Sequence, residues 1–200
     1  MNLNDLNIAQ RKAVEAMGGP ILIFAGAGSG KTRVLTYKIA YLIEEVGLPP
    51  EKILAVTFTN KAANEMKERV SRILSVDTKK MNVGTFHSIC ARMLRFEIPR
   101  LNYTRDFSIY DQADSRSLVK EIIQRLNLDT KTFTPNAYQN LISGKKNQML
   151  SPENVTEYAE AYVDEKLAQI YTEYQLALKR NNALDFDDLL LLPIQLFKQN

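Results

Sequence analysis

The segment Ile21–Thr32, ILIFAGAGSGKT, constrains this chain more than any other stretch. Four apolar residues at 21–24 predict a buried strand, a loop of small residues follows, and an amphipathic run begins at Lys31. Glycines in such a loop let backbone N–H groups surround phosphate oxygens, and the next helix adds its positive N-terminal end. The segment therefore predicts a phosphate-binding loop between a strand and a helix.

The loop departs from the usual Gly-x-x-x-x-Gly-Lys-Ser/Thr pattern only at its first position, which is Ala25. That position needs a small side chain, so alanine is acceptable there. A glycine-rich turn before an ordinary helix is the alternative, and the Lys-Thr pair disfavours it. Lys31 suits the β- and γ-phosphates, and the Thr32 hydroxyl suits the Mg²⁺ that accompanies a nucleotide. The candidate phosphate-binding residues are Ala25, Gly26, Ala27, Gly28, Ser29, Gly30, Lys31 and Thr32.

Composition restricts the class of protein. The 200 residues are 45% hydrophobic with a net charge of +3, which suits one large or two small globular domains. Positive charge is concentrated in residues 1–96, which favours a polyanionic partner there. The single cysteine excludes an intrachain disulfide, and the sequence shows neither a signal peptide nor a run of the ~20 apolar residues that span a bilayer. We therefore expect a cytoplasmic protein without membrane association.

Apolar periodicity divides the chain into two parts. A second buried strand is predicted at 53–57, a helix at 61–74 and a third strand at 82–86. The alternation of strands with helices predicts a parallel sheet in an α/β fold. After Pro99 the pattern is helical apart from a short strand at 107–111. Helices are predicted at about 112–126, 135–142 and 152–179, and a last one, capped by Asp185, should kink or break at Pro193. Four aromatic residues at helical spacings are predicted to pack rather than to stack on bases: Tyr158, Tyr162, Tyr171 and Tyr174.

Polar and aromatic side chains follow the strands predicted at 53–57 and 82–86. Ligands of open parallel sheets bind outside the carboxyl ends of the strands. Thr and Asn side chains suit backbone phosphates, and aromatic rings suit base faces. A lone histidine is usually structural, but His87 at such a strand end favours nucleic-acid contact over metal ligation. The candidate DNA-binding residues are Thr57, Phe58, Thr59, Asn60, Thr85, Phe86 and His87.

Two residues near the phosphate loop are candidates for contact with a nucleotide base. The amide of Gln10 matches the donor and acceptor edge of adenine, but Gln10 also completes a capping box with Asn7, and the sequence alone leaves both roles open. The planar guanidinium of Arg33 could stack on adenine, or Arg33 could be a solvated helix residue.

Five segments in order, LNIAQRKAV, AGAGSGKTRVL, TFTNKAANEM, GTFHSICARML and LDFDDLL, resemble the amino-terminal part of superfamily 1 DNA helicases of the UvrD/Rep/PcrA group. The resemblance implies a RecA-like P-loop parallel sheet at 1–96 and 183–200 with an inserted all-helical subdomain at 97–182. It implies ATP-driven 3′-to-5′ translocation on single-stranded DNA and action at single-strand/double-strand junctions, with DNA-repair or replication proteins as further partners.

The resemblance also assigns roles to residues of this sequence. Gln10 would contact adenine and Arg33 would stack on it, while Lys31 and Thr32 would bind phosphate and Mg²⁺ and serve catalysis. The path of the single strand would be lined by Phe58, Asn60, Thr85 and His87.

The family's apolar strand ending in Asp-Glu is missing from these motifs. Asp185, Asp187 and Asp188 follow Lys-Arg-Asn-Asn rather than an apolar strand, so helix capping is the better interpretation. We expect a fragment that does not hydrolyse ATP by itself. Two other classes stay open: a P-loop kinase, which leaves TFTNKAANEM and GTFHS unexplained, and a freestanding nucleotide- or DNA-binding module. Residues 144–147, GKKN, could contact duplex DNA or form a solvated loop.

Overall fold

The computed structural model describes residues 1–74, 81–157 and 162–199. It divides into two compact units, Met1–Ile89 and Cys90–Asn200. Within the described residues each unit is mostly helical and holds one parallel pair of strands. The α/β class is therefore confirmed, whereas a RecA-like sheet with an inserted subdomain, and the domain limits expected for it, remain predictions.

The first unit is built around the predicted strands at 53–57 and 82–86. Its strands pair in parallel, with Val56 opposite Gly84 and Thr57 opposite Thr85, so the predicted pairing is confirmed. The elements are a 3-10 helix at Leu3–Asp5, α1 (Ile8–Glu15), α2 (Lys31–Glu44), a 3-10 helix at Pro50–Lys52, β1 (Leu54–Thr57), α3 (Asn60–Leu74), β2 (Asn82–Thr85) and the start of α4 (Phe86–Glu97).

Two apolar clusters hold the first unit together. The larger packs α2 and α3 against the sheet through Ile39, Met66 and Val83, and the smaller joins α1 to α2 through Val14 and Val34. The clusters form because apolar residues of each helix recur on one face. The expectation that the strand at 53–57 is buried is wrong, since Leu54 is 61% exposed and the other residues of β1 are half-buried.

The prediction of a strand at residues 21–24 is also wrong. The described residues 20–26 form no regular element, and the side chains at 21–24 are exposed, Phe24 to 90%. A strand requires a neighbour that pairs its N–H and C=O groups. In the part of the first unit that the structure describes, β1 and β2 pair only with each other. Residues 21–24 therefore have no neighbouring strand with which to form hydrogen bonds.

The second unit is a helical assembly. Its short strands β3 and β4 lie parallel, with Ser108 opposite Ala183, which confirms the strand predicted within 107–111. None of the described helices is both long and apolar enough to cross a lipid bilayer. After α4 and a 3-10 helix at Ile98–Leu101, the elements are β3 (Ser108–Ile109), α5 (Gln112–Arg125), α6 (Pro135–Asn147), α7 (Pro152–Glu157), α8 (Tyr162–Arg180), β4 (Ala183–Leu184) and α9 (Phe186–Lys198).

Two helices of the second unit begin with the same cap. Asp111 and Asp114 form a capping box at α5, and Asp185 and Asp188 form one at α9, as helix-start signals in the sequence suggest. Of the kink or break predicted at Pro193, the break is wrong, because α9 continues through it, and the kink stays a prediction. Pro193 is itself buried, and the packing of this apolar helix offsets the hydrogen bond that proline removes.

The predicted packing of the aromatic residues is confirmed in part. Tyr171 and Tyr174 are buried in the main cluster of the second unit. Tyr162 is 60% exposed, but its ring packs edge-on against Phe133 at the rim of the cluster, with 6.5 Å between the ring centres. Tyr158 lies outside the described residues.

Candidate functional site

The phosphate loop turns back on itself just before α2. The backbone N–H and the hydroxyl of Ser29 both donate to the carbonyl of Gly26, at 3.3 and 2.7 Å. Gly28 and Gly30 have φ angles of +75° and +87°, a conformation that L-residues with side chains rarely adopt. No side chain of the described residues caps the N-terminus of α2. Its backbone N–H groups and its positive dipole therefore face the side on which an anion can bind.

Lys31 lies across this loop. Its ammonium donates to the carbonyls of Ala25 and Gly26, each at 2.7 Å, and the side chain is exposed. Thr32 is exposed in the first turn of α2 beside it. One cation, one hydroxyl and a row of N–H groups thus meet at a single helix end. That donor set fits the phosphates of a nucleotide, and the Thr32 hydroxyl fits Mg²⁺ held by those phosphates.

Gln10 joins the start of α1 to the phosphate loop. Its Oε1 accepts from the backbone N–H of Asn7 at 3.1 Å, while the Asn7 side chain accepts from the Gln10 N–H at 2.9 Å, so the capping role is confirmed. Its Nε2 donates to the carbonyl of Ser29 at 3.0 Å. Capping therefore does not remove Gln10 from the loop. Its contact with adenine stays a prediction.

Arg33 follows Thr32 on the first turn of α2 and is exposed. Its guanidinium carbon lies 5.7 Å from the centre of the Tyr37 ring, and the Tyr37 hydroxyl donates to Asp5 at 3.1 Å. The guanidinium is thus oriented by an aromatic face one helical turn away. Its stacking on adenine stays a prediction.

The ends of β1 and β2 bring the DNA-binding candidates together. We call residues 57–60 and 85–87 the strand-end edge. Because Thr57 lies opposite Thr85, the residues that follow them become neighbours: the rings of Phe58 and Phe86 lie 6.2 Å apart at an angle of 47°. Phe58 is 93% exposed and Phe86 50% exposed. Two exposed aromatic rings side by side form a surface on which bases can stack.

Three threonines of the strand-end edge also have a local structural role. The Thr59 hydroxyl accepts from the N–H of Ala62, and the Thr85 hydroxyl accepts from the N–H of Ser88, both at 3.2 Å, while Thr57 donates to the carbonyl of Thr59 at 3.0 Å. The bonds to Thr59 and Thr85 cap the first turns of α3 and α4. Asn60 and His87 lie within those turns. The edge therefore presents two helix N-termini next to the aromatic pair, and helix N-termini are among the groups that contact backbone phosphates.

The solvated loop expected at residues 144–147 is wrong, because the segment is the last turn of α6. A duplex contact there stays a prediction for Lys145 and Asn147 but is wrong for Lys146, which is buried. The Lys146 ammonium lies 2.7 Å from Oδ2 of Asp185 and 2.7 Å from Oδ1 of Asp188. The Tyr174 hydroxyl also donates to Asp185, at 3.0 Å. Lys146 is therefore occupied by an internal ion cluster and does not face solvent or DNA.

Charge and burial shift the pKa values of this cluster. Burial lowers the pKa of the Lys146 ammonium, but the two carboxylates outweigh it and raise the pKa above its usual value. Burial raises the pKa of Asp188 to about 6, against the attraction of Lys146. Sequence reasoning found the caps of α9 but missed this pairing. The sequence does contain a sign that Lys146 is buried. Tyr138, Ile142 and Lys146 recur at intervals of four residues, which places the lysine on the buried face of α6.

In the part of the chain that the structure describes, no group of three His, Cys, Asp or Glu residues is placed to hold a metal ion.

Comparison with known proteins identifies the family of this chain. The family model described as the UvrD/REP helicase N-terminal domain matches residues 6–200. The ATP-dependent DNA helicase PcrA of Bacillus subtilis is 48% identical over 195 residues, which are 98% of this chain and 26% of the relative. The enzyme of the same name from Staphylococcus aureus (strain Mu50) is 45% identical over 197 residues, 98% of this chain and 27% of the relative. The chain thus spans about a quarter of the length of the curated relatives it matches.

Proposed function

Because the chain belongs to the UvrD/REP helicase N-terminal family, we propose that it supplies nucleotide and single-stranded DNA contacts to an ATP-dependent DNA helicase that translocates 3′ to 5′. The observation that carries this proposal is the exposed pair Phe58 and Phe86 at neighbouring strand ends, in the same unit as a phosphate loop. A nucleotide site alone would suit many enzymes. The aromatic pair between two helix N-termini suits a polymer of phosphates and bases.

The nucleotide half of the proposal assigns a task to each residue of the loop. Backbone N–H groups of residues 26–32 and the Lys31 ammonium bind the phosphates, and the Thr32 hydroxyl holds Mg²⁺. Bound Mg²⁺ neutralises charge that develops on the transferred phosphoryl group. Gln10 binds the adenine edge, and Arg33 lies against the base with Tyr37 behind it.

The DNA half of the proposal assigns base stacking to the aromatic rings and phosphate binding to the two helix starts. Stacking tolerates any base, because every base has a π face, so little sequence preference is expected. Phosphate contacts release counterions, so affinity should fall steeply with salt. A junction between single and double strands would be the natural substrate of an enzyme that moves along one strand and separates the other.

The test of the DNA half is fluorescence anisotropy with labelled single strands at two salt concentrations. A base–aromatic stack is worth ~1–3 kcal/mol, so Phe58→Ala should weaken binding by roughly fivefold to a hundredfold. Phe197→Ala removes an equally bulky exposed ring from the end of α9 and serves as the matched control. If Phe58→Ala binds as well as the Phe197→Ala control, the strand-end edge does not bind DNA.

The helicase activity itself is tested with the protein expressed from its complete reading frame. Unwinding of a duplex with a 3′ tail should require ATP and should be lost in Lys31→Ala, whereas a 5′ tail should support little unwinding. Equal unwinding from both tails would contradict the proposed polarity, and unwinding without ATP would contradict the proposed role of the nucleotide.

A further inference from the structure

One lysine ties the helix that carries Gln10 to the helix that begins at the phosphate loop. Lys38, on α2, donates to the carbonyl of Val14 at 2.9 Å and to that of Ala16, and its ammonium lies 3.6 Å from the sulfur of Met17. Ala16 is the C-terminal cap of α1. Carbonyls at a helix C-terminus have no partner within the helix, and a cation there also complements the helix dipole.

The other end of α1 holds the residue that faces the loop. Gln10 donates to the carbonyl of Ser29, and a Cβ atom added at Gly30 would lie only 2.7 Å from its Nε2. Gln10 and the loop are therefore in close contact. A small shift of α1 would move the Gln10 amide away from the loop or push it into the backbone of Gly30.

The contact between α1 and α2 leaves such a shift possible. Helix α1 has eight residues, too few to be stable as an isolated helix in water. Its apolar contact with α2 centres on Val14 and Val34, together with Leu6 from the preceding segment, and four partly buried residues pack around them: Leu3, Ala13, Tyr37 and Tyr41. Such a cluster resists separation of the helices better than it resists sliding, because the hydrophobic effect is not directional. Directional bonds therefore help to fix the register of α1 on α2.

We propose that Lys38 is a positioning residue for adenine recognition: it fixes the C-terminal end of α1 on α2 and thereby holds Gln10 at the phosphate loop. Lys38 does not touch the nucleotide in this assignment and acts only through Gln10. The inference rests on the proposed nucleotide site. Burial lowers the pKa of Lys38, as expected of an ammonium partly withdrawn from water among carbonyls.

The experiment measures the preference for adenine over guanine, taken as the ratio of the dissociation constants of non-hydrolysable GTP and ATP analogues in calorimetric titration. One neutral hydrogen bond is worth about three- to tenfold, so Lys38→Met and Gln10→Ala should each lower the ratio by that factor. Combining them should lower it no further, because both remove the same contact. Lys38→Arg should keep most of the preference, since guanidinium also donates to carbonyls.

Three controls separate positioning from other effects. Lys12→Met removes an exposed lysine from α1 and should leave the ratio unchanged. Affinity for inorganic tripolyphosphate should be unchanged in Lys38→Met and reduced in Lys31→Ala. Backbone hydrogen exchange should speed up in α1 but not in α2 of Lys38→Met, which shows that the variant is folded and that only α1 is loosened.

The outcomes are distinguishable. The positioning role is overturned if Lys38→Met leaves the ratio of dissociation constants unchanged. It is also overturned if adding Lys38→Met to Gln10→Ala lowers that ratio further. In both cases the nucleotide site stands. A wild-type chain that binds ATP and GTP analogues equally overturns both the positioning role and the assignment of Gln10 to adenine.

Discussion

The ammonium of Lys146 lies 2.7 Å from Oδ1 of Asp188, and both side chains are buried in the second unit. Because the same ammonium reaches Asp185, one cation joins the last turn of α6 to the capping box of α9. The capping box satisfies backbone N–H groups, and Lys146 offsets the charge that the two carboxylates bring into the interior.

Removing the cation should strongly destabilise the second unit. Lys146→Met keeps the length and apolar stem of the side chain but leaves two buried carboxylates without a counter-charge, at a cost of ~3–5 kcal/mol near pH 8. Urea denaturation followed by circular dichroism measures the change. Lys145→Met, at the half-exposed neighbouring position, is the control and should stay within about 0.5 kcal/mol of wild type. Equal stabilities of the two variants would contradict the ion cluster.

The two aspartate capping boxes should respond to pH in opposite ways. Burial raises the pKa of Asp188 to about 6, so its contribution to stability is greatest below 3.8 and is lost as pH rises toward 6. Hydrogen bonds from the N–H groups of Asp114 and Ala113 lower the pKa of Asp111, so its contribution is present above 3.8 and is lost as pH falls.

Carbon-13 NMR titration of the aspartate carboxyl groups measures both pKa values, with Asp188→Asn and Asp111→Asn to assign the signals. We expect Asp188 to titrate about two pH units above its ordinary 3.8 and Asp111 below it. An Asp188 midpoint at or below 3.8 would show that attraction to Lys146 outweighs burial.

The sequence predicts individual helices and strands better than it predicts the tertiary contacts around them. Helices 60–74 and 112–125 and the pairing of 54–57 with 82–85 follow from periodicity, caps and strand alternation, which are local properties. The strand expected at 21–24 fails because strand formation depends on neighbours, and apolar character alone supplies none. The two-residue strand at Ala183–Leu184 has no periodicity to detect.

In the candidate site, too, features of short motifs are predictable and contacts between distant residues are not. The geometry of the phosphate loop and the contact of Phe58 with Phe86 could be expected, because each follows from a short motif at a strand or helix end. The role of Lys146 could not be deduced from residues 144–147 alone, since its partners Asp185 and Asp188 lie about forty positions further along the chain. Lys38 likewise pairs with carbonyls, which leave no mark in the sequence.

A methyl group at Gly30 should disturb the nucleotide site. Gly30 has a φ of +87°, and an added Cβ would lie 2.7 Å from Nε2 of Gln10, so Gly30→Ala strains the backbone and displaces the amide of the proposed adenine contact. A cost of roughly 1–3 kcal/mol corresponds to binding of a non-hydrolysable ATP analogue that is about fivefold to a hundredfold weaker, measured by calorimetry.

Gly144→Ala is the matched control for this substitution. Gly144 lies inside α6, and its added Cβ would meet nothing within 4 Å among the described residues. That change should leave nucleotide binding unaltered and should stabilise the second unit by ~0.5–1 kcal/mol, the helix preference of alanine over glycine. Equal nucleotide affinity of Gly30→Ala and Gly144→Ala would contradict the close contact between Gln10 and the loop.

Nucleotide binding and DNA binding should be separable by single substitutions in the first unit. Lys31→Ala removes the ammonium that lies across the phosphate loop, and charged hydrogen bonds are worth ~1.5–3 kcal/mol, so affinity for the ATP analogue should fall by roughly tenfold to a hundredfold. Single-strand binding by Lys31→Ala should stay within about twofold of wild type, because phosphate and stacking contacts at the strand-end edge do not involve this side chain. Lys52→Ala, at an exposed position after Pro50, controls for the loss of one positive charge. Calorimetry measures nucleotide affinity and anisotropy measures DNA affinity on the same preparations. If Lys31→Ala lost both affinities in parallel and Lys52→Ala lost neither, nucleotide and DNA would compete for the phosphate loop. The strand-end edge would then lose its assignment as a separate site.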